Sequence, residues 1–332
     1  MADGSPLPLE VLNGAPGYIN LLDALNAWQL VRELRQVLGL PAAASFKHVS
    51  PAGAAVGVPL GEALRRAYFV GAEELSPIAT AYARARGADR VSAYGDWAAL
   101  SDPVDVATAR LLRREVSDGV IAPGYEPEAL EMLKGKRQGR YTVLRIDPAY
   151  EPPALETRQV FGVTFEQQRN AYLPTDLPRD AAIAQLVLKY TQSNSICLVY
   201  DGQTIGVGAG QQSRIACTRL AADKADLWYL RQHPSVLAAE WPTDRVERDN
   251  AIDEHVRAMP PAERQAWLAE LHGVTLGSDA FFPFRDSVDR AAQSGVSYVV
   301  QPGGAVREDE IQQACHEHGI TMVLTGVRLF HH

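Results

Sequence analysis

The chain has 332 residues, of which 46% are hydrophobic and 22% are charged, and its formal net charge is −8. This composition is typical of globular proteins, and the length is enough for about two domains. The acidic balance excludes a broad basic surface for nucleic acid or an anionic membrane, and no apolar run approaches the length that a membrane span needs. A small anionic ligand is still compatible, because a few Arg, Lys and backbone N–H groups are enough to bind it.

The cysteines and the N-terminal residues indicate the compartment. Cys197, Cys217 and Cys315 form no Cys-x-x-Cys pair. An odd number of isolated cysteines indicates free thiols in a reducing environment, so we expect a cytoplasmic protein. Residues 1–8 contain neither a basic segment nor an apolar core. We therefore expect no signal peptide.

Helical patterns dominate the first third of the chain. Apolar side chains recur every three or four residues over 19–38, which predicts an amphipathic helix, and Gly39 follows as its predicted C-cap. Residues 60–82 and 103–116 have similar patterns, the former with a break predicted at Pro77.

Between these helices lies the adjacent pair Lys47-His48. It follows the Ala-rich residues 41–44 and precedes a Pro-Ala-Gly turn at 51–53. A His accepts a proton at neutral pH, and a neighbouring Lys polarises an oxygen or protonates a leaving group. A Lys-His pair alone is far more often a surface Lys beside a structural His, but the small, turn-forming neighbours here raise the weight of a catalytic interpretation.

The second half of the chain repeats the order of the first. Ser-Asp at 101–102 and at 278–279 each open a helical stretch that leads to an apolar segment and Pro-Gly, and an acidic helix and an apolar strand follow each time. We also match the helix and polar segment at 179–195 to the helix that leads into 45–48. This order predicts a duplicated, layered α/β fold with units at 1–150 and 151–332 and a boundary near the prolines of 148–153.

Three further segments carry candidate site residues. Asn194, in a polar run before an apolar strand, either holds a carbonyl group or only helps to turn the chain. The Gly-rich residues 206–214 lack the third Gly and the acidic residue of a dinucleotide fingerprint, so they favour a close approach to another ligand, with Arg214 opening a helix. Residues 278–287 combine three Phe with Pro283 and Arg285-Asp286, which fits either a stacking wall for a flat heteroaromatic ring or a core turn before a helix.

The C-terminal Arg328-Leu329-Phe330-His331-His332 ends in two histidines. They are too few for a zinc site, and the chain has no His-x-Glu with Pro-Cys-x-x-Cys and no His-Glu-x-x-His. We therefore expect no metal. Arg328 is suited to binding a phosphate or carboxylate with both of its terminal nitrogens.

Five of these segments, in this order, resemble the aminoimidazole carboxamide ribotide (AICAR) transformylase family of purine biosynthesis: SFKHVSPAGAAVG, SDGVIAPGYE, KYTQSNS, GAGQQSR and SDAFFPFRD. The resemblance runs from Val11 to His332. In that family this part is normally joined to an inosinate cyclohydrolase, and we expect a stand-alone transformylase here.

The resemblance implies two tandem cytidine-deaminase-like three-layer α/β/α units without zinc, and a homodimer with its active site at the interface. The reaction transfers a formyl group from the co-substrate 10-formyltetrahydrofolate to the 5-amino group of AICAR and requires no metal. The resemblance assigns catalysis to Lys47, His48, Asn194 and Asp286. It places the following residues around the nucleotide and the folate: Asn20, Gly95, Asp118, Arg214, Phe281, Pro283, Ser287 and Arg328.

Some positions depart from the family pattern. Ser287 stands where Asn is usual, Gly303 where Ser is usual, and no Arg-Tyr-Gly segment precedes Val11. The sequence therefore supports three hypotheses: transfer to AICAR itself, the same transfer to an AICAR-like amino-carboxamide heterocycle in specialised metabolism, and a silent paralogue that binds a nucleotide or folate. The presence of Lys47 and His48 weighs against the third.

Overall fold

The structure, a computed structural model, describes Gly4 and residues 6–332. The expectation of no signal peptide rests partly on residues 1–3 and 5, which lie outside the described residues. The strands of the described chain are Leu9–Asn13 (β1), Ala42–Lys47 (β2), Ser50–Val56 (β3), Asp96–Leu100 (β4), Ser117–Ala122 (β5), Thr142–Ile146 (β6), Leu155–Val160 (β7), Val163–Gln168 (β8), Ile196–Tyr200 (β9), Gln203–Gly208 (β10), Val274–Ser278 (β11), Val296–Gln301 (β12) and Thr321–Leu324 (β13). The helices are Tyr18–Leu38 (α1), Glu62–Ala67 (α2), Pro77–Gly87 (α3), Val106–Arg114 (α4), Pro127–Lys134 (α5), Arg179–Lys189 (α6), Arg214–Leu230 (α7), Pro234–Ala238 (α8), Arg245–Ala258 (α9), Pro261–Leu268 (α10), Asp286–Ala292 (α11) and Glu308–Glu317 (α12).

One mixed sheet contains all of these strands except β7 and β8, in the order β1-β6-β5-β4-β2-β3-β10-β9-β11-β12-β13. In the first half, β2 pairs antiparallel with both β3 and β4, and β4, β5 and β6 are parallel. In the second half, β9 pairs in the same way with β10 and β11, and β11, β12 and β13 are parallel. The predicted α/β class is confirmed. The likeness to cytidine deaminase units and the boundary between 1–150 and 151–332 stay predictions.

Helices cover both faces of the sheet. The buried side of α1 packs with α6 on one face, while α3, α4, α5, α7, α11 and α12 pack on the other. The small side chains of β2 alternate between these layers, with Ala42 and Ala44 on the α1 side and Ala43 on the α3 side. The predicted helix over 19–38 is confirmed, and Gly39 ends it in the left-handed conformation with φ 67°.

Two glycines allow helices to approach the sheet at corresponding places in the two halves. A Cβ atom on Gly53 of β3 would lie 2.2 Å from the carbonyl oxygen of Ala85 in α3. A Cβ atom on Gly206 of β10 would lie 2.0 Å from the carbonyl oxygen of Ala221 in α7. Any larger residue at either position would push a helix away from the central strands.

The central strands β3 and β10 join the two halves. They are antiparallel, with Gln203 opposite Ala55. The N–H of Val56 donates to the carbonyl oxygen of Gly202 at 2.9 Å, and the N–H of Ala54 donates to Oγ1 of Thr204 at 3.0 Å. The hydrogen-bonded network of the sheet therefore runs through both halves without a break.

The break predicted at Pro77 in the helical stretch 60–82 is confirmed, but it is wider than predicted, because residues 68–76 separate α2 from α3. Phe69 in this connection has φ 57°, which no helix tolerates. Pro77 is the first residue of α3, and Oγ of Ser76 caps that helix by accepting the N–H of Ala79. Proline disfavours a helical residue before it, which explains the break at this position.

The predicted match between residues 191–195 and 45–48 is also wrong. Lys47 and His48 come after β2, whereas residues 191–195 come before β9. Because β9 occupies in the second half the place of β2 in the first, the counterpart of the Lys47-His48 turn is the Asp201-Gly202 turn at the opposite edge of the sheet.

Within the described residues, none of the helices has the length and apolar content needed to cross a bilayer.

Candidate active site

Lys47 and His48 lie at the turn of the β2–β3 hairpin. Lys47 is the last residue of β2 and pairs with Ser50, so His48 and Val49 form a two-residue turn. Nζ of Lys47 donates to the carbonyl oxygen of Tyr94 at 2.6 Å, and His48 is exposed. The turn thus presents an anchored ammonium group and an accessible imidazole side by side.

The two turn residues have left-handed backbones, with φ 53° for His48 and φ 61° for Val49. Two-residue hairpins of this kind favour Asn-Gly, and a β-branched residue at positive φ is strained by about 1–3 kcal/mol. The N–H of Val49 donates to Oδ1 of Asp23 at 2.6 Å, and Asp23, on α1, is only 7% exposed. Burial raises the pKa of Asp23, while the N–H of Val49 favours the ionised carboxylate.

Three predicted binding residues lie around this turn. Gly95 has φ 77° and donates its N–H to the carbonyl oxygen of Val116, which brings the chain before β4 beside the start of β5. Asp118 accepts a hydrogen bond from Nη1 of Arg137 at 2.9 Å. Oδ1 of Asn20 accepts the N–H of Gly17 at the start of α1, so its side chain helps to fix that helix terminus.

A buried charge network supports the loop that receives Lys47. Nη2 of Arg86 donates to the carbonyl oxygens of Ala93 and Val116, and Nη1 of Arg86 lies 2.9 Å from Glu115. Arg90 lies 3.5 Å from the same carboxylate. Burial opposes ionisation of Glu115, but these and other arginines outweigh it and lower its pKa to about 2. The loop before β4 is therefore held by Arg86, which is itself paired with the ionised carboxylate of Glu115.

Asn194 lies at the same edge of the sheet, just before β9. Its Nδ2 donates to the carbonyl oxygen of Gln211 at 2.9 Å, and its Oδ1 accepts from Nη2 of Arg214 at 2.8 Å. These two bonds fix the orientation of the amide. The same segment contacts the first site element, because the N–H of Gln192 lies 3.5 Å from Oγ of Ser50, two residues after His48.

Arg214 lies behind Asn194. It is 6% exposed, and its Nη1 donates both to the carbonyl oxygen of Ser195 and to Asp279, which is fully buried. Oδ2 of Asp279 accepts the N–H of Ser195 at 3.0 Å. In this structure Arg214 opens α7 as expected, and its guanidinium orients Asn194 rather than facing solvent.

The C-terminal residues pack against this segment. Ser193 and His331 exchange two hydrogen bonds of 3.0 Å, from the N–H of Ser193 to the carbonyl oxygen of His331 and from the N–H of His331 to Oγ of Ser193. Burial lowers the pKa of His331. Arg328 is exposed, and its guanidinium carbon lies 4.9 Å from the ring centroid of Phe330.

The Phe-rich segment follows β11. Phe281 and Phe284 are 43% and 52% exposed, whereas Phe282 is fully buried in the core. The predicted wall of three Phe is therefore wrong, because the middle ring points into the protein. The three other predicted residues of this segment have different surroundings: Pro283 is half-buried, Asp286 is exposed as the first residue of α11, and Ser287 is buried.

The predicted site residues fall into two groups along one edge of the sheet. Lys47 ends β2 and Ser278 ends β11, and β3, β10 and β9 lie between these strands. Four inter-strand spacings correspond to about 19 Å. Lys47 and His48 thus share their end of the sheet with Asn20, Gly95 and Asp118, whereas Phe281 and Asp286 follow β11, beyond β3, β10 and β9.

No group of three or more His, Cys, Asp and Glu residues is placed to hold a metal ion in the described part of the chain.

Comparison with known proteins places the chain among relatives. Residues 3–224 match the sequence model of the AICARFT/IMPCHase bienzyme family. This chain belongs to that family. The matched range includes both the Lys47-His48 turn and the Asn194–Arg214 pair.

Two relatives of this AICARFT/IMPCHase chain are both named bifunctional purine biosynthesis protein PurH. The protein from Cereibacter sphaeroides is 34% identical in an alignment of 329 residues in length that covers 95% of this chain and 53% of the relative. The protein from Xanthomonas campestris pv. campestris is 34% identical in an alignment of 330 residues in length that covers 95% of this chain and 51% of the relative. The chain thus spans about half the length of the curated relatives it matches, and these alignments extend beyond the range of the family match.

Sequence reasoning missed two acidic residues of this AICARFT/IMPCHase chain. Asp23 could have been found as a charged residue on the apolar stripe of α1, where Ala27, Leu30 and Leu34 are buried. Asp279 stands in the sequence at the start of a helical stretch and within SDAFFPFRD, and neither pattern marks it as a buried partner of an arginine. Its partner Arg214 lies 65 residues away in the chain, and no local pattern links them.

Proposed function

We propose that this chain transfers a formyl group from 10-formyltetrahydrofolate to the 5-amino group of AICAR in purine biosynthesis. The observation that carries the proposal is the Lys47-His48 turn, which lies inside the family match and is followed by Ser50, whose Oγ contacts Gln192 in the segment of Asn194. Membership of a family whose relatives are named for purine biosynthesis supports the pathway.

The reaction needs a base because the acceptor amine is weak, its lone pair being shared with the imidazole and the carboxamide. In the proposed step the amine nitrogen bonds to the formyl carbon while His48 accepts the proton that the amine loses. The bond from the formyl carbon to N10 of the folate then breaks, and Lys47 stabilises the oxyanion or donates the proton that N10 takes up. His48 and Lys47 are adjacent, so acid and base act from one turn.

Asn194 is suited to hold the formyl oxygen. Its amide has two N–H groups, of which one donates to Gln211, while Arg214 occupies its oxygen. Among the described residues the other N–H has no hydrogen-bond acceptor, and the amide cannot rotate without losing both existing bonds. We assign this N–H to the formyl oxygen, where it lowers the energy of the developing negative charge.

The test is a substrate panel. With 10-formyltetrahydrofolate present, we expect the protein to release tetrahydrofolate when given AICAR, followed by absorbance and by mass of the formylated product. Unphosphorylated nucleoside and pyrazole analogues complete the panel. If an analogue is formylated and AICAR is not, the acceptor is that analogue and the proposal for AICAR is wrong. If none of the compounds is formylated, the hypothesis of a silent paralogue remains.

We further propose that a second copy of the chain completes the site. The support is the position of β2, which ends at Lys47, about 19 Å across the sheet from β11, the strand that precedes the segment of Asp286. Phe281 and Phe284 are exposed beside Asp286, and a two-fold partner would cover them.

Mixed dimers test this arrangement. If His48 of one copy works with Asp286 of the other, an equal mixture of His48→Ala and Asp286→Ala proteins, unfolded and refolded together, should recover about 25% of wild-type activity, since half of the dimers are mixed and each has one intact site. Each variant refolded alone is the control. Recovery no higher than the controls would contradict a shared site, and light scattering of the wild type gives the oligomeric state directly.

A further inference from the structure

Asp23 is an acidic residue that formyl transfer as described above does not use. It lies on the buried side of α1 among apolar neighbours such as Ala24 and Ala27, and it is 7% exposed. A carboxylate in such a place is costly unless a specific contact compensates for its lost hydration.

The compensating contact comes from the Lys47-His48 turn. Oδ1 of Asp23 accepts the N–H of Val49 at 2.6 Å, although the two residues are 26 positions apart in the chain. The backbone N–H of His48 also favours the ionised form of Asp23. Hydrogen bonds to an ionised acceptor are short and stronger than those between neutral groups.

The turn needs such support because of its sequence. His48 and Val49 both have positive φ values, and neither is glycine. His tolerates the left-handed region moderately well, whereas a β-branched Val is disfavoured there. Without a hydrogen-bond acceptor for the N–H of Val49, little would stabilise the positive φ values of this turn. A turn with ordinary negative φ values would move the imidazole of His48 to a different position.

We propose that Asp23 is a positioning residue for formyl transfer. By holding the N–H of Val49, it keeps the turn left-handed, so that the imidazole of His48 faces the acceptor amine. Asp118 disfavours the charge of Asp23 and is itself paired with Arg137, whereas the side chain of His48 favours that charge. This inference rests on the proposed function of the site.

The experiment compares three variants with the wild type in the formyl-transfer assay. Asp23→Ala should lower kcat by about 10-fold or more and leave KM for the folate within about twofold, because a misplaced base impairs the chemical step rather than binding. Asp23→Asn keeps an oxygen that accepts the N–H of Val49 and should stay within about threefold of the wild-type kcat.

The double variant Asp23→Ala/Val49→Gly separates positioning from a general structural role. Glycine adopts positive φ without strain, so the turn no longer depends on Asp23 and kcat should return to within about threefold of Val49→Gly alone. A structural role elsewhere in α1 would not be rescued by a change at Val49. Unchanged kcat in Asp23→Ala, or failure of Val49→Gly to restore it, would overturn the proposal.

A second measurement does not depend on catalysis. Amide hydrogen exchange of Val49 in the wild-type protein should be slow for a turn residue, and at least about 10-fold faster in Asp23→Ala. A wild type that shows this protection but transfers no formyl group would refute the proposed function and not the contact. Fast exchange of Val49 in the wild type would refute the positioning role, even if Asp23→Ala does not fold.

Discussion

Replacing His48 by Ala is expected to lower kcat for formyl transfer by about 10²-fold or more, because the amine would lose the base that takes its proton as it attacks. His48 is exposed at the turn, so we expect the fold to be unaffected. Steady-state kinetics with AICAR and 10-formyltetrahydrofolate give the measurement, and the thermal midpoint checks the fold.

His316→Ala is the matched control for this change. His316 is also an exposed histidine, but it lies on α12, beside the edge strand β13. Its removal should leave kcat within about twofold of the wild type. If His48→Ala lost less than about fivefold in kcat, another group would have to be the base.

The second large effect concerns stability. Asp279→Ala should lower the free energy of unfolding by about 3–5 kcal/mol, because it leaves the guanidinium of Arg214 buried without its carboxylate partner. The side chain of Arg214 is only 5% exposed and that of Asp279 is fully buried. The variant should also lose kcat, since Arg214 would no longer hold the amide of Asn194. Urea unfolding followed by circular dichroism measures the stability change.

Asp289→Ala provides the comparison for an exposed ion pair. Asp289 pairs with Arg285, and both side chains are more than a third exposed. Solvent screens such a pair, so its loss should cost no more than about 1 kcal/mol. Equal losses in the two variants would mean that burial of the Arg214–Asp279 pair does not matter for stability.

The parts of the fold that depend on local periodicity can be predicted from the sequence. The apolar spacing over 19–38 gives α1 with its end at Gly39, because a helix needs only its own side chains and a cap to be recognised. The Ala-rich residues before Lys47 gave no strand signal, since alanine has low strand propensity. They form β2 because the sheet and its two helix layers leave room only for small side chains.

The site was predictable only where chemistry resides in neighbouring residues. Lys47 and His48 stand out in the sequence as an adjacent pair. The left-handed turn at His48 and Val49 could not be predicted, because neither residue is a glycine. The bond from Val49 to Asp23 and the pair formed by Arg214 and Asp279 join residues that are distant in the chain. Such contacts follow from the packing of α1 and α7 on the sheet, which no local pattern encodes.

The pairing of β3 with β10 has a consequence for how ligands are enclosed. Many two-lobed enzymes close over a substrate by rotating one lobe about a hinge. Here such a rotation would have to break the bonds from Val56 to Gly202 and from Ala54 to Thr204 in the middle of the sheet. We therefore expect access to the proposed catalytic edge to depend on its turns and loops rather than on opening of the sheet, and such loop motions take nanoseconds to microseconds.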